Sequence, residues 1–349
     1  MRKFPCPLVP LLCIFAVALA GQAPQPSAEG QQQFGDLGVC KLTSGQEITD
    51  CRLGYRTWGK LNSQRSNAVL FPTWFSGTSK DIQALVGAGN LVDPAKYFVI
   101  AVDALGDGLS SSPSNSAAQP RLKFPAFTIH DMVTAEYRLV IEKLRLTHLH
   151  AVLGISMGGM QTFEWVVSYP DFMDYAIPIE GSTRLTGYDL LLWHAEKDAL
   201  KADPAWRQRN YTKSPPLPAV QALEQMNMTT PSHYARTHPP ETFAAEYAEY
   251  AVRGIAPFDA NDWLYQLEAM IHHDVTHGGA LERAAKRVQS KVLVIVSKQD
   301  HLVNPKPALD FSALLGAKTL VLDSDCGHLA PLCEAAKANP LVEAFLDGK

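Results

Sequence analysis

"LHAVLGISMGGMQTFEW" spans Leu149 to Trp165, and its reading decides the fold. An apolar run from Leu149 to Ile155 stops at Ser156, with glycines at Gly154, Gly158 and Gly159. The run has the length and composition of a buried strand, and the segment behind it is helix-like. Gly154-Ile155-Ser156-Met157-Gly158 fits G-x-S-x-G, in which a serine sits on a strained strand-to-helix turn. Small neighbours keep that turn free of clashes, and the hydroxyl stands above the sheet beside the amides that open the helix. Alone, the pentapeptide also describes an ordinary glycine-rich connection, so its meaning depends on partners elsewhere.

A serine hydroxyl is a weak nucleophile. It needs a base, and the base needs an orienting acid. On a strand–turn–helix scaffold of this kind they follow in the order Ser, Asp, His. "KVLVIVSKQD" places Asp300 just past one later strand, and "KTLVLDSDCGH" places His328 just past the next. Taken singly, Asp300 reads as a turn residue and His328 as a solvent-facing cap. Taken together with Ser156, order, spacing and context make the three a candidate catalytic triad. Acyl transfer also needs amides facing the oxygen that becomes negative. One is expected from Met157. The other is expected from the loop "TWFSGTS" after an early strand, at Phe75, with the neighbouring Trp74 as pocket wall.

Outward from this segment the chain alternates strand-like and helix-like stretches. "AVLFPTW", "YFVIAVDAL" and "YAIPIEG" read as strands, and "TIHDMVTAEYRLVIEKL" carries apolar residues on one helical face. Thr128 caps that helix, with Asp131 in an acidic variant of the capping box. Continuous apolar strands between helices imply a mostly parallel sheet covered on both faces. From Ser182 to about Gln289 no clear strand is visible. The fold class is therefore α/β: a core from residues 38–181 and 290–349, interrupted by a helical cap insertion over 182–289.

The 349 residues are enough for one full core, and 46% hydrophobic against 19% charged residues marks a globular chain. A net charge of -4 without a basic stripe excludes nucleic acid as the expected partner. Arg2, Lys3, the apolar stretch Pro7 to Ala20 and the small-x-small "ALA" read as a signal peptide over residues 1–20. The apolar stretch is too short to remain as a membrane span. A secreted or periplasmic protein is expected, with a disordered linker over 21–37. Cys6 and Cys13 leave with the signal. Cys40, Cys51, Cys326 and Cys333 allow three pairings, or four free buried thiols; the local pairing closes two short loops.

Several stretches resemble one family. "GISMGGMQTFEWVVSYPDFM" is similar to the nucleophile segment of the homoserine O-acetyltransferases, and "KYFVIAVDALGDGLSSSPSN" and "FTIHDMV" are similar to core segments of the same family. "KADPAWRQRNY" and "FDANDWLYQLEAMIHHDV" resemble its helical cap, which other α/β-hydrolases lack. The resemblance runs from about Leu53 to the C-terminus. It implies an α/β-hydrolase fold, a triad of Ser156, Asp300 and His328, a two-step acyl transfer from acetyl-CoA to homoserine, and a homodimer through the cap.

The chain departs from that family where the acceptor is read. The family has an aspartate directly after the catalytic histidine for the substrate ammonium, and here that position is Leu329. A cap arginine for the substrate carboxylate falls near Leu223. Unpaired buried charge is expensive, and two leucines cannot hold a zwitterion. Trp74 and Phe75 replace a more polar loop. With an export signal and no acetyl-CoA outside the cytoplasm, the expected activity is that of an exported esterase releasing its acyl group to water. An O-acyltransferase with a non-water acceptor is the alternative, and a catalytically silent scaffold a third. The expected partner is a small-molecule ester or acyl donor, and no cofactor or metal is implied.

Arg184, just past a strand end, is a candidate for an anionic substrate group or a plain surface arginine. "HHDVTH" (His272 to His277) has no carboxylate or cysteine placed by the sequence to complete a metal site, and reads as the polar end of a helix. Trp206 and Tyr211 read as packing. Asn210 and Asn227 open glycosylation sequons that matter only in a eukaryotic secretory pathway.

Overall fold

The computed structural model describes residues 29–207, 211–253, 255 and 258–349. The signal-peptide reading, residues 21–28 of the expected linker and Asn210 lie outside the described residues. Among those described, no helix is long and apolar enough to cross a membrane.

Among the described residues eight strands form one sheet: β1 (Gln33–Lys41), β2 (Glu47–Trp58), β3 (Ala68–Pro72), β4 (Phe98–Val102), β5 (Leu149–Ile155), β6 (Met173–Ile179), β7 (Lys291–Ser297) and β8 (Lys318–Leu322). Their order is β1-β2-β4-β3-β5-β6-β7-β8. β2 runs antiparallel to both neighbours, and β3 to β8 are parallel. The apolar runs are continuous because both sheet faces are covered. Leu70, Ile100, Val152 and Val294 point into one core with Met160, Phe163 and Phe311. Their neighbours Val69, Val99, Ala151 and Leu293 point into the other with Ile82, Val342 and Phe345. The alternation is the period of two that a strand imposes. Thr128 and Asp131 cap the helix Ile129–Arg138 reciprocally, as the sequence implies.

The linker expected through residue 37 ends earlier than that, because β1 begins at Gln33. Leu37 and Cys40 are buried, and β1 pairs with β2 as a hairpin. Two glycines and a short, weak alternation hide this strand in the sequence. The disulfide Cys40–Cys51 ties the hairpin and Cys326–Cys333 closes the second short loop, so the local pairing is the one formed.

Between β6 and β7 the described residues are helical. Gly187–Ala202, Pro218–Met228 and Ala260–Ile271 stand over the carboxyl ends of the strands: Phe75 packs on Trp263 at 5.0 Å, and Pro218–Met228 meets the turn Gly327–Leu329. Leu281–Ala285 instead packs beside the helix Lys306–Leu315, so the end of this segment joins the body of the fold.

Candidate active site

Ser156 sits between the last residue of β5 and the helix Met157–Ser168, with φ 58° and ψ -121°. A non-glycine residue held there is strained, and the surrounding backbone fixes it. The Ser156 amide donates to the Ile179 carbonyl at 2.9 Å. A Cβ at Gly158 would meet the Pro72 carbonyl oxygen at 2.6 Å, and one at Gly154 would run into the Gly158 backbone. Both glycines are therefore required by close approach.

His328 Nε2 lies 2.9 Å from Ser156 Oγ, and His328 Nδ1 lies 2.6 Å from Asp300 Oδ2. The amides of Leu302 and Val303 donate to Asp300 Oδ1 at 2.8 and 2.9 Å. This fixes the carboxylate and leaves its second oxygen for the imidazole. All three side chains are buried. Burial pulls the His328 pKa down, but the charge and hydrogen bond of Asp300, with the charge of Glu224, outweigh it and hold the imidazole above its ordinary value.

The two amides expected to hold an oxyanion, Phe75 and Met157, donate no hydrogen bond among those of the described residues. Gln161, one turn along from Met157, donates to the Met157 carbonyl at 3.2 Å and to the Thr73 carbonyl at 3.0 Å. It thus couples both amide-bearing segments. On the other side Gln266 Oε1 accepts from the Ser76 amide at 3.0 Å, while its amide reaches the Leu105 carbonyl. Neither glutamine was singled out in the sequence, although Gln161 stands at the i+4 position that returns it to Met157.

Beneath the triad lies Glu180, 1% exposed with φ 48°. The Ser297 amide donates to its Oε2 at 2.9 Å, and its carboxyl stands within 4.8 Å of Asp300 and His328. Burial, then the Asp300 charge, pushes it well above the usual carboxylate range. A glutamate closing the apolar strand "YAIPIEG" is the one signal the sequence carried for it.

Ser156 and His328 open into a cavity of about 470 Å³. Trp74, Phe75, Trp193, Trp263 and Leu329 line it. Arg184 does not join them. It is exposed, and its backbone bridges Asp274 where the helical insertion begins and ends. The strand end that suggested it is close in sequence, but the chain turns away from the cavity. Glu224, which the sequence did not single out, lines the wall; burial pushes its carboxyl up to about 7 against the opposing charge of His328.

The histidine run divides. His273 is buried against the Ser182 carbonyl, 2.9 Å away. His277 meets Glu164 at 3.1 Å, and His130 meets the same oxygen at 2.7 Å. A carboxylate does therefore stand beside the run, contributed by the helix behind Ser156. Glu164 is 1% exposed; burial alone would raise it, but hydrogen bonds from His130, His277 and Ser168 hold it at about 2. Trp206 and Tyr211 pack inside the helical layer, bonding Asn261 and Asp259.

Residues 69–335 match the family described as alpha/beta hydrolase fold. The chain is 33% identical over 311 residues to an ethyl acetate hydrolase of Pseudomonas veronii, covering 84% of this chain and 88% of that one. It is 30% identical over 326 residues to a homoserine O-acetyltransferase of Trichormus variabilis, covering 87% and 90%. Among solved structures, an acetylester hydrolase from Corynebacterium glutamicum superposes with a TM-score of 0.82 at 30% identity, covering 90% of this chain and 95% of that one.

Proposed function

This chain belongs to the α/β-hydrolase fold family, within the group of homoserine O-acetyltransferases and their esterase relatives, and from that premise we propose that it is an exported esterase. It is an enzyme with hydrolase or acyltransferase activity. In the proposed reaction Ser156 Oγ attacks the ester carbonyl carbon while His328 Nε2 takes its proton. Asp300 holds the imidazole tautomer. The amides of Phe75 and Met157 face the oxyanion. The C–O bond to the alcohol breaks, and the alcohol leaves with the proton from His328. Water then gives a proton to His328 and attacks the acyl-Ser156, releasing acid and free serine.

Leu329 carries the choice of water over homoserine. It stands in the cavity where the resemblance calls for an ammonium-binding aspartate, among aromatic walls. The ester-hydrolysing relatives support the same choice. Export rests on the leader sequence, and two disulfides fit an oxidising compartment. Pairing of two copies through the helical layer is supported by the exposed Leu191, Met226, Phe243 and Val252, all in that layer. Light scattering on the purified protein tests it.

The deciding experiment compares short p-nitrophenyl esters with acetyl-CoA plus homoserine, using the mature protein and Ser156→Ala. Ester turnover that disappears in the variant is expected. Appreciable homoserine acetylation would overturn the esterase reading, and failure of a fluorophosphonate to label Ser156 would overturn the serine mechanism.

A further inference from the structure

The cavity around Ser156 holds an acidic side chain that ester hydrolysis does not use. Glu224, on the helix Pro218–Met228, lines the wall and is 9% exposed. It makes no hydrogen bond or ion pair among the described residues. Behind it Glu196, on the helix Gly187–Ala202, is 0% exposed, and neither of its carboxylate oxygens has a partner. The two helices pack on each other. Two carboxyls buried side by side without a cation are costly, and a fold that keeps them gains nothing in stability from them. Among the described residues lining the cavity there is no lysine or arginine to balance the charge. Trp193 and Trp263, both nearly fully buried, also line the cavity. An acidic group in a cavity lined by tryptophans is chemistry suited to an organic cation.

Glu224 also adjoins Leu223, near which the resemblance places an arginine for a substrate carboxylate. The group offered at this end of the cavity is thus acidic where an anion site is expected. Helix Pro218–Met228 packs against the turn that carries His328, and the charges of Glu224 and His328 act on each other across the cavity.

We propose that Glu224, backed by Glu196, binds a positively charged group of the substrate, and that the enzyme acts on esters bearing an alkylammonium group. The proposal rests on the esterase reading. The ammonium sits in the alcohol or in the acyl part, and matched substrate pairs distinguish the two. Acetylcholine and 3,3-dimethylbutyl acetate differ by the charge on the alcohol. Ethyl 4-aminobutanoate and ethyl pentanoate differ by the charge on the acyl chain.

The readout is the ratio of kcat/KM for the charged and neutral members of each pair. In one pair the wild-type enzyme should prefer the cation by about tenfold or more, the order expected for a cation held in a desolvated aromatic and acidic site. Glu224→Gln should bring that ratio near one, and Glu196→Gln should lower it. Because each ratio is internally normalised, a general loss of activity in a variant does not move it. If Glu224→Gln fails to fold, inhibition of the wild type supplies the test: tetramethylammonium should inhibit at lower concentration than neopentyl alcohol. Ratios near one for the wild type in both pairs overturn the proposal. So does a preference that survives Glu224→Gln. Turnover of the neutral esters by the wild type, absent in Ser156→Ala, keeps the esterase reading standing in either case.

Discussion

The side-chain amide of Gln161 donates to the Thr73 carbonyl at 3.0 Å, across the gap between the helix behind Ser156 and the loop behind β3. The same amide reaches the Met157 carbonyl at 3.2 Å. One fully buried residue therefore sets the spacing of the two segments whose amides are proposed to hold the oxyanion.

Gln161→Met keeps length and volume but removes the donor. The two amides then lose their common reference, and their aim at the transition-state oxygen loosens. Outright loss of one such donor costs about 3–4 kcal/mol, so misplacement should cost less, lowering kcat by roughly tenfold. KM should move little, because the ground-state ester carries little charge on that oxygen. Steady-state kinetics on p-nitrophenyl acetate, with a melting curve to confirm folding, provide the check. An unchanged kcat contradicts the role.

The imidazole of His328 accepts a proton only when neutral. Burial lowers its pKa, but Asp300 and then Glu224 more than compensate, so the net shift is upward from 6.5. Activity should therefore rise with pH along an acid limb whose midpoint lies above 6.5, read from kcat/KM as the free-enzyme ionisation. Glu224, pushed to about 7, titrates in the same window, which should broaden the limb beyond one proton. In Glu224→Gln one stabilising negative charge is gone, so the limb should sharpen and move to lower pH. A limb that stays in place would show that the two groups are not coupled. The pH profile of a neutral ester settles this.

Glu180 separates into two variants. Burial and the adjacent Asp300 charge both oppose its ionisation, and Glu180→Gln keeps the size and shape of the uncharged form. Activity within about threefold of wild type is expected, with the Ser297 amide still satisfied. Glu180→Ala leaves a cavity and a buried amide without its acceptor beneath Asp300. A loss of roughly 2–4 kcal/mol in stability should follow. Denaturant unfolding measures it. Loss of activity in Glu180→Gln at full stability would show that the carboxyl works as an acid.

The core and the triad were legible for the same reason: each strand from β3 to β8 is a short local run ending in a turn, and Ser156, Asp300 and His328 follow the ends of β5, β7 and β8. The β1–β2 hairpin was not visible, because it is stabilised across the sheet edge and by Cys40–Cys51 and not by its own pattern. Gln161, Glu180 and Glu224 were hidden for a further reason. Each acts on residues far away in sequence, and a single polar residue in a helix or strand carries no mark of what the fold will place opposite it. Arg184 is the converse case, near the site in sequence and outside it in space.

Glu164 is buried on the helix behind Ser156, with His130, His277 and Ser168 around its carboxyl. These partners overcome the cost of burial and hold it at about 2, below the ordinary 4.5. A carboxyl depressed in the folded state stabilises the fold above its unfolded pKa, and that contribution disappears as the pH falls through the folded value. The window is therefore about 4.5 down to about 2, and the contribution is roughly 3 kcal/mol at neutral pH. Glu164→Gln should lower Tm at pH 7 by roughly 5 °C. The gap from wild type should narrow as the pH is taken from 5 to 3, because the wild type loses in acid what the variant already lacks. Melting curves across that range test the sign directly: a gap that widens in acid would mean the carboxylate is not paired in the folded enzyme.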